Sequence, residues 1–230
     1  MIPTNKRVVI VMGPPGSGKG TQANLIVNKY GLYHFDSGKF LRSLFYQNGP
    51  ITDPEILAEK KINESGGINS GKFFLKVSTE KIKSIAANGD GIVFSGSPRT
   101  MYETLGDSEH IGFLDNIDKL YGKENTIVFV LEVPDEYSSE RNSKRVFCSV
   151  CGNLILGVLN LNINQCPFCG GSLKVRIDDD PKIIKSRLEE YKTQTYPLIE
   201  EMEKRGFKVY RIDATPMPFE VFEKITSLIK

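Results

Sequence analysis

What this sequence lacks narrows its class first. No apolar run approaches the roughly 20 residues that cross a bilayer as a helix. The formal net charge is only +2, so no polyelectrolyte attraction draws the chain to nucleic acid or to an anionic membrane surface. The opening segment from Met1 to Arg7 has no secretory apolar core, and a cytoplasmic protein is expected. There is no internal repeat and no low-complexity tract. Cysteine is scarce: all 4 lie between Cys148 and Cys169, which argues for a metal site rather than a disulfide framework. What is present is ordinary for a globular protein, 40% hydrophobic and 25% charged residues over 230 positions, enough for one domain with insertions or for two small domains.

The chain is organised around Gly13-Pro14-Pro15-Gly16-Ser17-Gly18-Lys19-Gly20-Thr21-Gln22. The run Val8 to Met12 before it suits a strand buried on both faces. A helix is expected from Thr21 to Lys29. Strand, glycine-rich turn, Gly-Lys and helix form the context of a phosphate-binding loop. Its glycines let backbone N–H groups approach oxyanions closely, and the helix N-terminus adds partial positive charge. Lys19 is placed to reach the β- and γ-phosphates of a nucleotide. Gly20 stands where most such loops carry a Ser or Thr that ligates magnesium.

Further strands are expected at residues 33–36, 91–95, 126–133 and 207–212, with helices between them. Asp36 or Ser37 is a candidate cap for the helix that follows the second strand. Thr52 and Glu55 suggest a capping box on the next helix, to Glu64, and a third runs from about Lys72 to Ala87. One long helix is expected from Ile183 to Arg205 and a last one from Phe219 to Lys230. This alternation implies a parallel sheet covered on both faces.

Cys148-Ser149-Val150-Cys151-Gly152 and Cys166-Pro167-Phe168-Cys169-Gly170 are paired Cys-x-x-Cys knuckles. Four thiolates at Cys148, Cys151, Cys166 and Cys169 suit a tetrahedral structural zinc, with no coordination position left open for catalysis. Free thiols or two disulfides are the plain alternatives. A zinc ribbon also raises a different class, a nucleic-acid-binding P-loop protein. The module's interior carries too little basic charge to support it, and Lys144, Arg145, Lys174 and Arg176 only flank it.

The form of the glycine-rich loop resembles the adenylate kinase family, and the resemblance to its zinc-containing members covers nearly the whole chain. Asp36-Ser37-Gly38-Lys39-Phe40-Leu41-Arg42 is similar to the family's Ser-Thr-Gly-Asp-Met-Leu-Arg. Ser95-Gly96-Ser97-Pro98-Arg99-Thr100 is similar to its Asp-Gly-Phe-Pro-Arg-Thr. The stretch Glu140 to Arg145 resembles the entry to a mobile lid, and Arg176-Ile177-Asp178-Asp179 its exit. What the resemblance implies is ATP binding by Gly13, Pro15, Gly16, Ser17, Gly18, Lys19, Gly20, Thr21 and Arg141. The acceptor monophosphate falls to Ser37, Gly38, Arg42, Asn69, Gly96, Arg99, Glu103, Arg176 and Arg187. Lys19, Arg99, Arg145, Arg176 and Arg187 become the catalytic cations. Their chemistry is apt, because phosphoryl transfer is positioning plus electrostatic stabilisation, and arginine grips phosphate with a planar fork.

Several positions depart from the family pattern. Ser95 replaces the strand-end Asp that helps hold hydrated magnesium, which leaves Asp178 and Asp179 as nearby acids. Ser97 replaces an aromatic, Val146 a second lid arginine, Lys39 an acid, and Glu103 the glutamine that reads adenine.

The expectation is a three-layer α/β P-loop kinase with a five-stranded parallel sheet. Residues 1–36, 71–141 and 180–230 form the core, 37–70 an acceptor-binding helical part, and 142–179 a zinc-binding lid. The implied reaction is reversible transfer of the ATP γ-phosphoryl group to a nucleoside monophosphate, AMP before others, with Mg²⁺ accompanying ATP and a structural Zn²⁺. A monomer without nucleic-acid or membrane partners is expected. The alternative within the class is a kinase of altered base specificity or weak activity.

Overall fold

The computed structural model describes residues 7–46, 49–65, 67–151, 154–155, 163–175 and 180–229. Its centre is a five-stranded parallel sheet in the order β2-β3-β1-β4-β8. These strands are β1 (Val8–Met12), β2 (Tyr33–Asp36), β3 (Ile92–Ser95), β4 (Thr126–Glu132) and β8 (Lys208–Asp213). The expected α/β architecture with a five-stranded parallel sheet is therefore present.

The central position of β1 follows from its sequence. All of Val8 to Met12 are apolar and buried, which only a strand covered on both faces allows. Successive side chains alternate between two cores. Val8, Ile10, Met12, Ile92, Phe94, Val128 and Val130 enter one. Val9, Val11, Val93, Phe129 and Leu131 enter the other. Helices α1 (Lys19–Tyr30) and α10 (Pro218–Leu228) cover the second core through Ala23, Ile26, Val221 and Ile225. The first core is closed by α2 (Ser37–Phe45), α4 (Gly71–Ala87), α6 (Phe113–Tyr121) and α9 (Pro197–Lys204). At its middle Phe94 meets Phe113 edge-on, with ring centroids 4.8 Å apart and planes at 81°, a favoured geometry for aromatic quadrupoles.

This topology fixes where a ligand can sit. The chain leaves β1 towards β2 on one side of the sheet, and leaves β3 towards β4 on the other. The helices after β1 and β3 then lie on opposite faces and open a crevice at the carboxyl ends of these neighbouring strands. A second, antiparallel sheet of order β6-β5-β7 is built from β5 (Val146–Cys148), β6 (Leu154–Ile155) and β7 (Leu173–Val175). It follows α7 (Asp135–Ser143) and precedes α8 (Pro181–Glu190). None of the helices among the described residues is long and apolar enough to cross a membrane.

Two local expectations are corrected. The cap of α3 (Pro54–Glu64) is Asp53, not Thr52: the N–H groups of Glu55 and Ile56 donate to Asp53 Oδ1, and Pro54 takes the first helical position. A carboxylate adjacent to an N1 proline satisfies the first-turn donors, which leaves Thr52 outside the helix. The expected helix from Ile183 to Arg205 is interrupted. Between α8 and α9 the residues Tyr191–Thr195 form a π turn, in which Tyr196 N–H donates to Tyr191 O at 2.7 Å. Pro197 is the cause, since it has no N–H and its ring would collide with the carbonyl four residues back; widening the turn relieves both problems.

Candidate active site

The loop between β1 and α1 takes its shape from backbone freedom at three glycines, Gly13, Gly16 and Gly18. Gly18 caps α1 with φ of 90°, a left-handed conformation that an L side chain resists. Gly13 has φ of 143°, and a Cβ there would lie 2.6 Å from Leu131 O at the end of β4. The loop thus packs closely against the end of β4. Lys19 Nζ donates to Gly13 O at 2.7 Å and to Pro14 O at 2.8 Å. Ser138 on α7 donates its hydroxyl to Pro15 O, tying the loop to the next helix. Ser17 Oγ is buried and, among the described residues, has no hydrogen-bond partner, a donor available to an oxyanion.

This loop lines a cleft of about 1430 Å³, larger than the roughly 300–1,000 Å³ of most single small-molecule sites. Gly13, Pro15, Gly16, Ser17, Gly18, Lys19, Gly20 and Thr21 all face it. Arg141, on α7, lines it as well and donates to Ala214 O at 2.8 Å and Thr215 O at 3.0 Å. Those bonds hold the segment between β8 and α10 that, with Pro216, Met217 and Val221, forms the far wall. Arg99, Arg145 and Arg187 enter from three different elements. Their convergence registers on Lys19. Its pKa is pushed well below 10.5, first by desolvation and then by the charges of Arg187, Arg99 and Arg145, with Asp36 acting in the opposite sense.

The same cleft is also lined by Ser37, Gly38 and Arg42 from α2 and by Gly96 after β3. Ser37 Oγ donates to Gly96 O at 2.8 Å. Asn69 and Glu103 do not line it. Asn69 is buried between α3 and α4, where its amide donates to Glu59 O at 2.7 Å and Glu59 Oε2 at 2.8 Å. Glu103, on α5 (Met101–Leu105), is buried behind the cleft wall and accepts the Arg99 N–H through Oε2 at 2.9 Å. Its Oε1 makes no well-formed hydrogen bond, although the Ser97 hydroxyl lies near enough to favour the charged form. Arg176, Asp178 and Asp179 lie outside the described residues.

The four cysteines come together across the small sheet. Their Sγ atoms all lie within 4.8 Å of one another, with Cys148–Cys169 at 3.5 Å and Cys151–Cys166 at 3.6 Å. These separations are far beyond a disulfide bond of about 2.05 Å. They match thiolates placed about 2.3 Å from a common tetrahedral centre. The N–H groups of Cys151 and Val150 each approach Cys148 Sγ at 3.4 Å and pull its thiol down to about 6, towards the thiolate a metal requires.

Sequence comparison agrees with this geometry. The sequence model of the family described as "Adenylate kinase" matches residues 11–207. The chain belongs to the adenylate kinase family. A protein of Methanosarcina barkeri named adenylate kinase is 34% identical over 224 residues, 96% of this chain and 98% of its own length. Adenylate kinases of Chlamydia pneumoniae and Borreliella burgdorferi are each 32% identical, covering 98% and 96% of this chain and 99% and 97% of their own. Against that family background, some contacts in or behind the cleft carry no motif. Thr195 Oγ1, in the π turn, donates to Arg99 O at 2.9 Å. His34 Nε2 lies 2.8 Å from Ser95 Oγ, and His34 Nδ1 lies 2.9 Å from Asn24 Oδ1. None of these three contacts has a local sequence signal, because each joins residues from separate elements.

Glu103 has a consequence for stability. Burial is the largest influence on it and raises its pKa from 4.5 to about 7, against the lowering effect of the Arg99 N–H. A raised carboxyl pKa contributes stability that is fully present below 4.5 and is lost as pH rises through about 7. Relative to wild type, Glu103→Gln should therefore gain on the order of 2–3 kcal/mol between pH 5 and pH 8. Urea unfolding of both proteins at the two pH values reads this directly. Parallel pH profiles would show that Glu103 titrates as an ordinary carboxylate.

Proposed function

We propose that this chain reversibly transfers the γ-phosphoryl group of ATP to AMP, giving two ADP. The observation that carries the reading is the meeting of Lys19, Arg99, Arg145 and Arg187 in one cleft at the crevice between β1 and β3. The names of the family relatives support the same reaction. In this reading the loop N–H groups and Lys19 hold the donor phosphates. Ser37, Gly38, Arg42 and Arg99 hold the acceptor phosphate, whose oxygen attacks the γ-phosphorus in line. Arg145 and Arg187 neutralise the charge that spreads over the equatorial oxygens in flight. Mg²⁺ arrives with ATP and supplies charge neutralisation between the phosphates. The buried position of Glu103 favours a supporting role for it: accepting the Arg99 N–H fixes the backbone from which that guanidinium reaches the phosphate.

The reading further assigns residues 37–70 to acceptor binding and 142–179 to a lid that carries Arg145, and it takes the protein as a cytoplasmic monomer. Closure of such a lid would expel water, which competes as an acceptor. The four sulfurs are read as a structural zinc site that staples the lid; their mutual distances support it.

A coupled kinase assay with ATP and each of AMP, GMP, CMP and UMP tests the function. AMP should be phosphorylated fastest, and Lys19→Ala should lower turnover by orders of magnitude with the fold intact. Near-normal turnover in that variant, or no phosphorylation of any monophosphate by wild type, would defeat the proposal. The metal reading is checked by elemental analysis, which should return one zinc per chain. Chelation should then loosen residues 142–179 to hydrogen exchange before the main sheet. Zinc-free protein with the same exchange pattern would refute it.

A further inference from the structure

A nucleotide-bound magnesium ion is commonly steadied by a hydroxyl after the loop lysine and by a strand-end aspartate. This chain has neither at those places. Gly20 follows Lys19, and Ser95 ends β3, the strand beside β1. The Ser95 hydroxyl is engaged with His34. Burial lowers the pKa of His34, with the charge of Asp36 acting in the opposite sense.

The register of the sheet supplies a carboxylate next door. Asp36, the last residue of β2, pairs directly with Ser95. Register partners on adjacent strands face the same side of a sheet, so the Asp36 carboxylate projects beside the Ser95 hydroxyl. Asp36 lines the cleft, and its charge is felt by the Lys19 ammonium. Its Oδ1 accepts the Lys39 N–H at 2.9 Å as the cap of α2, while Oδ2 takes no hydrogen bond among the described residues. The other described carboxylates facing the cleft are Glu64 and Glu140. Both are engaged, Glu64 with the Tyr46 hydroxyl at 2.9 Å and Glu140 with Lys144 Nζ at 2.7 Å. The two motifs this chain resembles carry Ser where Asp36 stands and Asp where Ser95 stands. The carboxylate and the hydroxyl have changed places across one strand pair.

We infer that Asp36 is the protein carboxylate that holds the hydrated magnesium of bound ATP, and that Asp36 and Ser95 form a compensated exchange between neighbouring strand ends. The donor set fits: a hard, hydrated cation takes oxygen ligands or holds them through its waters, and among the described residues one Asp36 oxygen is left for that purpose after capping α2. The inference rests on the ATP site proposed above.

Calorimetric titration of ATP with and without Mg²⁺ provides a test that does not depend on turnover. Wild type should bind ATP more tightly when Mg²⁺ is present. Asp36→Asn keeps a capping oxygen for Lys39 N–H, so α2 is retained. It should lose roughly 10-fold or more of the magnesium-dependent gain. Its affinity for magnesium-free ATP should stay level or rise, because one negative charge has left the phosphates' surroundings. Asp36→Ser alone should lose the gain too, and adding Ser95→Asp should restore it. An unchanged magnesium gain in Asp36→Asn, or a double variant no better than Asp36→Ser, overturns this inference alone. A wild-type protein that binds no ATP overturns it together with the proposed function.

Discussion

The crowding of like charge at the head of β1 is the constraint on which the rest of the structure depends. Lys19, Arg99, Arg145 and Arg187 share one cleft, and burial first, then the three guanidinium charges, disfavour the charged lysine. Such repulsion is weak in open water and grows as water is excluded. The surrounding atoms are arranged to hold the cations apart from one another yet aimed inwards. Lys19 is steadied by two loop carbonyls. The backbone of Arg99 is gripped at both ends, its N–H by Glu103 and its C=O by Thr195. A cluster of this kind is complementary to a polyphosphate, whose charge converts the mutual repulsion into binding.

The fold can support such a cluster because the opposing parts are separate. The sheet and its two cores are apolar and tightly interlocked around β1. Every cation enters from an edge: Lys19 from the start of α1, Arg99 from the segment after β3, Arg145 from the link between α7 and β5, Arg187 from α8. The sulfur-lined small sheet follows Arg145 at once in the chain. Any movement of that sheet therefore carries Arg145 relative to Lys19. The π turn has a comparable role, since it lets one continuous rod present Arg187 to the cleft and Thr195 to Arg99 in spite of Pro197.

Much of this was legible in the sequence, for physical reasons that differ by element. The run from Val8 to Met12 can be buried only between two layers, and the glycine spacing up to Lys19 has few purposes other than anion binding. The paired cysteine knuckles announced their meeting, and the sulfurs do meet. Other features depend on information that no short window holds. The choice of Asp53 over Thr52 as a cap turned on which oxygen reaches the first-turn N–H groups. Glu103 lies behind the wall, bound to a backbone N–H, because α5 begins two residues after Arg99 and buries Glu103. The pairing of Asp36 with Ser95 is a fact of strand register between distant segments. Sequence alone displayed the loss at Ser95 and gave no sign of what stands beside it.

Burial and the neighbouring guanidinium charges lower the pKa of Lys19, and phosphate oxygens should raise it again. Lysine side-chain nitrogen NMR measures this directly, with the Lys19 signal identified by its absence in Lys19→Arg. In the protein alone, Lys19 should titrate below the ordinary 10.5. On saturation with ATP its pKa should rise, because anionic oxygens favour the ammonium form. A Lys19 that titrates at 10.5 in both states would contradict this, since neither burial nor the arginines would then act on the loop lysine and the cleft would have no charge imbalance for a nucleotide to relieve.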